Sequence, residues 1–504
     1  MAGVLVVNSP VNYDQPAAHL LGGLARSGVA WSGVLTVGNL ALSFAVTAIL
    51  ARILSPADYG LVGMVATLTS LVILFSDMGL SWATIQRTSL TIQQIHNLFW
   101  LNSGFGIVLA VLFATSSPLL AKFYGEPRIV PIASATAATF AIGGFAVQPM
   151  ALLKRQMRFK QVAVVRIGAA AIGGGTGIAL AMTGWGYWSL VGQSIASGTA
   201  SLVLAFALTG YRPGRVTFGV GTRTLVQFGG LLAANGALIY VARNMDNILI
   251  GRFWGATELG YYSRAYFLMT LPNLLVTGVL STVMVPALSA LQHDRKRFGD
   301  AYRLALRLTA LVGFPLAAGL GLVAPELIRI VYGPQWSAVV PIFAWLSVSA
   351  VAQPVFNTQG WLFTAAGKGK AYLHATLIYS ALTAAAFTVG IHDGAVGVAR
   401  SYSIVFVTLI TSPILYLAHR AADLDFRPSL LAIAPAASAT VGMVAAVVML
   451  EVVLREVGVG WAVTLAIKVL VAALCYGAII LTLDDWARSL VQTRRIQLWP
   501  RSST

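Results

Sequence analysis

Residues 242–262 read ARNMDNILIGRFWGATELGYY, and the rest of the chain takes its meaning from this stretch. It closes one apolar run and opens the next. Within it, Arg252-Phe-Trp-Gly-Ala-Thr-Glu258-Leu259-Gly260 repeats the layout of Arg52-Ile-Leu-Ser-Pro-Ala-Asp58-Tyr59-Gly60. Each copy has an arginine, an acid six residues on and a glycine two beyond. Further landmarks recur in the same order. Pro118-Leu-Leu-Ala-Lys122-Phe-Tyr124-Gly125 is matched by Pro325-Glu-Leu-Ile-Arg329-Ile-Val-Tyr332-Gly333, and Gln148-Pro149 by Gln353-Pro354. Gly186-Tyr-Trp-Ser-Leu-Val-Gly is matched by Gly394-Ala-Val-Gly-Val-Ala-Arg. The offsets run from 200 to 208, which predicts an internal duplication of six helices. An even number of crossings returns the chain to its starting side. The copies are therefore expected to be related by a pseudo-two-fold axis along the membrane normal.

Composition sets the class. Of 504 residues, 58% are apolar and 10% charged, with a mean hydropathy of +0.80. That charge is too little to cover a soluble domain. The polar residues cluster between continuous apolar runs of about 20 residues, the length of a membrane-crossing helix. Continuous rather than alternating runs favour helices over a barrel. The expected fold is an all-α membrane protein with about fourteen transmembrane helices. Their expected limits are 30–51, 60–81, 95–116, 129–150, 163–183, 187–209, 226–250, 262–288, 303–324, 338–364, 371–391, 395–418, 430–453 and 461–483. The domains follow as a cytoplasmic tail (1–29), an N-lobe (30–210) and a C-lobe (211–420). Two extra helices (421–484) and a basic tail (485–504) complete the chain.

A net charge of +17 invites a nucleic-acid reading, but the distribution of the charge favours another. With the N-terminus inside, the inner segments hold 22 Lys and Arg and the outer ones 7, and Arg166, Arg243, Arg400 and Lys468 fall within spans. This is the asymmetry that orients membrane helices. It places both termini in the cytoplasm and leaves no nucleic-acid partner. The single cysteine, Cys475, precludes an intrachain disulfide. The apolar run Val4–Val7 is too short for a signal-peptide core.

The motifs resemble those of the polysaccharide flippases (Wzx type) of the multidrug/oligosaccharidyl-lipid/polysaccharide superfamily, in the subgroup serving colanic acid and other exopolysaccharides. The matching residues are Ala51-Arg52 through Pro56-Ala-Asp58-Tyr59-Gly60, Ser76-Asp77-Met78-Gly79-Leu80 with Gln86-Arg87, and Leu153-Lys-Arg-Gln-Met-Arg158-Phe159. Gly184-Trp-Gly-Tyr-Trp-Ser and Asn244-Met-Asp246 with Leu259-Gly-Tyr-Tyr262 complete the set, which covers roughly residues 30 to 420. The resemblance implies two six-helix lobes around a central cavity in the bacterial inner membrane. It also implies alternating access that carries an undecaprenyl-diphosphate-linked oligosaccharide to the periplasmic leaflet for exopolysaccharide or O-antigen-type synthesis. The partners expected are this substrate, membrane lipids and the polysaccharide polymerase or chain-length machinery.

No enzyme, cofactor or metal site is visible. Gly173-Gly-Gly-Thr-Gly177 lacks the Lys-Ser/Thr of a phosphate loop, and the six histidines are scattered. Charges inside spans are costly unless they face water or a partner. Arg243 and Asp246 are three apart on one helix and share a face, as a self-neutralised pair or as a diphosphate site with its positioning acid. Arg400 and Arg166 are the other expected cavity cations. Arg52, Asp58, Arg252 and Glu258 are expected at the outer mouth as structural or gating residues, and Asp77 as a cap or a partner of Arg87. Lys468 is expected to pack or to face lipid. Gly168–Gly177 suits close helix approach. Trp185, Tyr187, Trp188, Trp254, Tyr261, Tyr262, Trp336 and Trp461 suit an outer interfacial belt. Two other classes compete: a drug/cation antiporter of the same architecture, which needs an acidic cavity, and a non-transport scaffold for polysaccharide assembly, which needs no cavity.

Overall fold

The computed structural model describes residues 38–76, 84, 90–217, 240, 244–484 and 488. All regular structure among them is helical. Ten helices are long and apolar enough to cross a membrane, and a bent pair within 245–290 raises the number to eleven. Their outward faces are apolar, as at Leu119, Val389 and Met449, each more than two-thirds exposed. That is the signature of a lipid-facing surface. The chain is a multi-pass membrane protein. Its contacts divide it into two compact units, Met1–Gly260 and Tyr261–Thr504.

The first unit begins with α1 (Gly38–Ile53) and α2 (Pro56–Ser76). Then come α3 (Ile92–Tyr124), α4 (Ile129–Arg155), α5 (Phe159–Met182) and α6 (Trp188–Thr209). The unit closes with the start of α7 (Met245–Ala290), a long helix kinked at Gly255. α3 opens on a capping box, in which Thr91 Oγ1 accepts from Gln94 N–H and Gln94 Oε1 from Thr91 N–H. The third span was expected to end near 116, yet α3 continues through Pro118 to Tyr124. Proline withholds the N–H that the carbonyl one turn back needs. Here the Ser117 hydroxyl supplies it, donating to Ala114 O at 2.7 Å. α3 stops at Gly125, whose φ of 70° lies in the left-handed region.

Two close crossings hold this unit. A β-carbon on Gly106 of α3 would lie 2.6 Å from Phe140 O, and one on Gly144 of α4 would lie 2.6 Å from Asn102 O. Backbones therefore touch where glycine leaves room, the close approach common between membrane helices. α5 and α6 meet in the same way. A β-carbon on Gly173 would fall 2.7 Å from Gln193 O, and one on Gly168 would press on Leu204 at 3.1 Å. The glycine-rich fifth span is thus a packing surface.

The second unit continues α7 from Tyr261. It adds α8 (Arg295–Leu322), the short amphipathic α9 (Ala324–Val331), α10 (Val339–Ala365) and α11 (Gly369–Gly390). α12 (394–421) holds a wide turn at Phe406–Thr411, and α13 (Phe426–Val457) and α14 (Trp461–Leu483) end the described helices. Two expected belt residues prove to be core. Trp336 and Tyr262 are fully buried, with Trp336 set among Tyr332 and Tyr261. An interfacial aromatic needs an open tip, and these have none. Trp185, Trp254 and Trp461 are exposed.

The last two helices are pinned at both ends. Arg307 of α8 pairs with Asp484, which follows α14 and is 2% exposed at its side chain; the Arg307 Nε–H donates to Asp484 Oδ2 at 2.9 Å. At the other end, Lys468 Nζ of α14 meets Glu326 Oε1 of α9 at 2.8 Å and Glu451 Oε2 of α13 at 3.3 Å.

Candidate functional site

The duplicated motif is where the structure concentrates unusual geometry. In the first copy, the corner between α1 and α2 is a closed capping box. Ser55 N–H and Oγ–H donate to Asp58 Oδ2 at 2.9 and 2.6 Å, and Asp58 N–H donates to Ser55 Oγ at 3.2 Å. Asp58 is thus committed to the backbone of its own helix start. In the second copy, glycine stands in place of Ser55. Gly255 has φ +81°, a conformation open to a residue without a β-carbon. Glu258 makes no hydrogen bond or ion pair among the described residues. The same spacing therefore gives a closed cap in one copy and a backbone kink in the other. Asp58→Ala is expected to remove about 1 kcal/mol of stability, read as a lower thermal midpoint in detergent, whereas Glu258→Ala leaves the midpoint unchanged.

The two copies lie against each other. A β-carbon on Gly60 would sit 1.6 Å from Ala256 O, and one on Gly260 would sit 1.9 Å from Pro56 O. Residue 56 faces 260 and residue 60 faces 256. This is a self-complementary contact, as a two-fold relation demands. Leu259 and Tyr59 are buried beside it, and Leu259 lies 3.6 Å from the β-position of Gly63. Arg52 and Arg252 stay exposed, Arg252 with its guanidinium 5.8 Å from the centre of the Phe123 ring. Nearby, Arg128 and Glu126 pair at 2.8 Å. The hydrogen bond from Arg128 holds the Glu126 carboxyl below the usual carboxylate range.

The expected cavity residues differ in their surroundings. Asp246 is 1% exposed, with Asn247 N–H donating to its Oδ1 at 2.8 Å. Its expected partner Arg243 lies outside the described residues, as do Asp77 and Arg87. Arg400 is exposed and reaches back seven residues to Asp393, Nη2 to Oδ2 at 2.5 Å. Arg166 is exposed on α5 and makes no hydrogen bond or ion pair among the described residues.

Other charged residues outside the expected cavity set are buried or half-buried. Arg155, counted among the inner-loop charges, is 2% exposed and donates to Thr84 O at 2.8 Å; Thr84 in turn donates to Gln148 Oε1 at 3.3 Å. Arg264, counted outside, is a half-buried member of α7 with its guanidinium 5.9 Å from the centre of the Phe267 ring. Lys468 is packed rather than lipid-facing. Glu326 is the residue that sequence reading missed, and its only signal was a carboxylate inside an otherwise apolar segment. Among the described residues, no three His, Cys, Asp or Glu are placed to hold a metal ion.

A family model described as "Polysaccharide biosynthesis protein" matches residues 49–341. A second, "Lipid II flippase MurJ", matches residues 231–472. Lipopolysaccharide biosynthesis protein WzxC of Escherichia coli (strain K12) is 25% identical over 67% of this chain and 69% of its own length. Succinoglycan biosynthesis transport protein ExoT of Rhizobium meliloti is 26% identical over 73% and 74%. Teichuronic acid biosynthesis protein TuaB of Bacillus subtilis is 27% identical over 68% and 71%. Among solved structures, lipid II flippase MurJ in an inward closed conformation superposes with a TM-score of 0.72 at 16% identity, covering 92% of this chain and 100% of that one. An inward-facing multidrug resistance MATE family transporter of the MOP superfamily gives 0.61 at 16% identity, covering 77% and 95%. At such identities the superpositions establish the fold alone. The first family model covers more than half of the chain and includes both copies of the duplicated motif: the chain belongs to the polysaccharide biosynthesis protein family.

Proposed function

We propose that this protein is an inner-membrane flippase. It moves an undecaprenyl-diphosphate-linked oligosaccharide from the cytoplasmic to the periplasmic leaflet by alternating access, with both termini in the cytoplasm. Family membership carries the substrate class. The reciprocal crossing of Gly60 and Gly260 carries the mechanism. A contact made by corresponding residues of two copies, through backbones with no side chain between, can separate without unpacking either copy. In this reading it is the closed outer gate.

The chemistry asked of the chain is modest. A diphosphate bearing sugars cannot cross hydrocarbon unaided, because its charges would lose their water unpaired. Arginines facing a hydrated path replace that water, with bidentate geometry toward phosphate oxygens. Arg243, Arg166 and Arg400 are proposed for this role, with Asp246 positioning Arg243. Arg52, Arg252 and Glu258 rim the gate, Asp58 caps its first helix, and Asp77 is proposed to cap or to pair with Arg87. The lipid tail stays in the bilayer, so no apolar tunnel is needed. The chain moves its substrate and makes or breaks no covalent bond. Polysaccharide polymerase and chain-length proteins would take the product on the far side. Membership of the polysaccharide biosynthesis protein family favours this reading over a drug/cation antiporter.

The test uses cells lacking the protein. Lipid-linked oligosaccharide is expected to accumulate there with its sugars inaccessible to a glycosidase added outside spheroplasts, and wild-type protein restores accessibility. Arg243→Ala is expected to leave protein level normal and abolish export. No accumulation in the deletion strain would sink the flippase reading. Near-normal export by Arg243→Ala would remove that residue from the path.

A further inference from the structure

The second unit carries a line of polar side chains that the transport reading leaves unused. On α7, Met269, Asn273, Thr277 and Ser281 recur every four residues; on α10, Ser349, Gln353, Asn357 and Trp361 do the same. Four-residue spacing puts each set on one face of its helix. The faces meet rung by rung. Ser349 Oγ and Gln353 Nε2 approach Met269 Sδ at 3.5 and 3.4 Å. Asn357 Nδ2 donates to Asn273 Oδ1 at 2.7 Å, and Trp361 Nε1 donates to Ser281 Oγ at 2.9 Å. Thr277 Oγ1 bridges the faces by donating to Pro354 O at 3.3 Å.

Packing accounts for the buried rungs, Ser349, Thr277 and Trp361. It does not account for Asn273, Gln353 and Asn357, which stay half-buried. A side-chain amide offers two donors and a two-lone-pair acceptor, so one bond between the asparagines leaves most of that capacity unused. Turned toward hydrocarbon at mid-span, such groups forfeit solvation. Polar groups at this depth face water or a polar ligand instead. Both helices also carry a proline at this level, Pro272 and Pro354. Each withholds an N–H from the carbonyl one turn back.

The duplication argues that the fold does not need the two asparagines, while Gln353 corresponds to Gln148. The offset of 200 that relates Arg52 to Arg252 takes Asn273 to Ile73. The offset of 205 that relates Gln148 to Gln353 takes Asn357 to Leu152. The first copy thus builds the same pair of helices with apolar residues where the second places two asparagines.

The geometry points to Asn273, Gln353 and Asn357 as a sugar-contacting subsite that binds hydroxyls of the glycan carried on the lipid. This inference rests on the flippase reading and deepens it. Neutral amides donate and accept together, as a sugar hydroxyl requires, and leave the diphosphate to the cations. The ladder sets which glycan is carried; the arginines recognise what every such lipid shares.

The experiment measures binding to purified full-length protein in nanodiscs by the change in its tryptophan fluorescence. Two probes are used: lipid-linked oligosaccharide extracted from cells lacking the protein, and sugar-free undecaprenyl diphosphate. Gln353→Ala, and the double variant Asn273→Ile with Asn357→Leu that copies the first repeat, are expected to weaken oligosaccharide binding about tenfold. Binding of the sugar-free lipid stays within about twofold, and the thermal midpoint of the double variant stays at the wild-type value. Equal losses for both probes, or undiminished oligosaccharide binding, overturn the subsite while leaving the flippase reading in place. Wild-type protein that binds neither probe overturns that reading, and the subsite with it.

Discussion

Alanine at Gly60 or at Gly260 is expected to abolish polysaccharide export while protein level stays normal. The added methyl would stand 1.6 Å from Ala256 O at the first position and 1.9 Å from Pro56 O at the second. Neither neighbour is the movable end of a side chain; both are backbone carbonyls, so the helices must separate. Overpacking costs about 1–3 kcal/mol, and a clash with backbone belongs at the upper end. About 3 kcal/mol against the closed gate lowers its population roughly a hundredfold. Gly143→Ala is the control, because a β-carbon there meets nothing within 4 Å. Leu259, 1% exposed beside the crossing, reports on its state. With Leu259→Cys in a Cys475→Ala background, a membrane-impermeant maleimide is expected to label slowly when Gly60 is retained and quickly in Gly60→Ala. Normal export by Gly60→Ala, or labelling unchanged by it, would defeat the gate assignment.

The second large effect concerns the far end of the chain. Lys468→Met is expected to destabilise the protein by about 3–5 kcal/mol, the range for breaking a buried ion pair by removing one partner. Lys468 is 1% exposed, and the Glu326 side chain it meets is 9% exposed. Without the lysine, that carboxylate is left charged among apolar helices or must take up a proton, and either lowers stability. The double variant Lys468→Met with Glu326→Gln removes both charges and is expected to recover more than half of the loss. Glu451 then keeps its partner Arg455, Nη2 to Oε1 at 2.5 Å. Thermal unfolding in detergent reads the effect, with the exposed Lys370→Met as control. A midpoint equal to the control, or a double variant worse than either single, would show that the ion pair does not hold α9, α13 and α14 together.

The helical spans among the described residues and the duplication were legible in the chain, because each rests on local pattern. A run of about 20 apolar residues has one stable answer in a bilayer. A repeated motif implies a repeated element. Pro118 marks where such reading fails. A proline near the end of a span is a reasonable stop, yet α3 runs on, with the Ser117 hydroxyl donating to the carbonyl that Pro118 leaves without an N–H. Trp336 fails in a different way. Tryptophan beside a span suits an interface, yet α9 and the turn after it fold this ring into the core.

Charge divides the two levels most plainly. Counting lysines and arginines assigns sides, since that bias acts residue by residue along the chain. It does not say which charges are buried. Arg155 and Glu326 read as ordinary loop or flanking charges, and nothing local marks them as interior. What the amino-acid sequence determined by itself was a twofold-repeated helical membrane protein. Tertiary structure alone decided that Gly60 meets Ala256, that Lys468 meets Glu326 and that Asn273 meets Asn357. These pairs are far apart along the chain. Their energies depend on distances of a few ångströms that no local propensity encodes, so only the packed helices bring them into being.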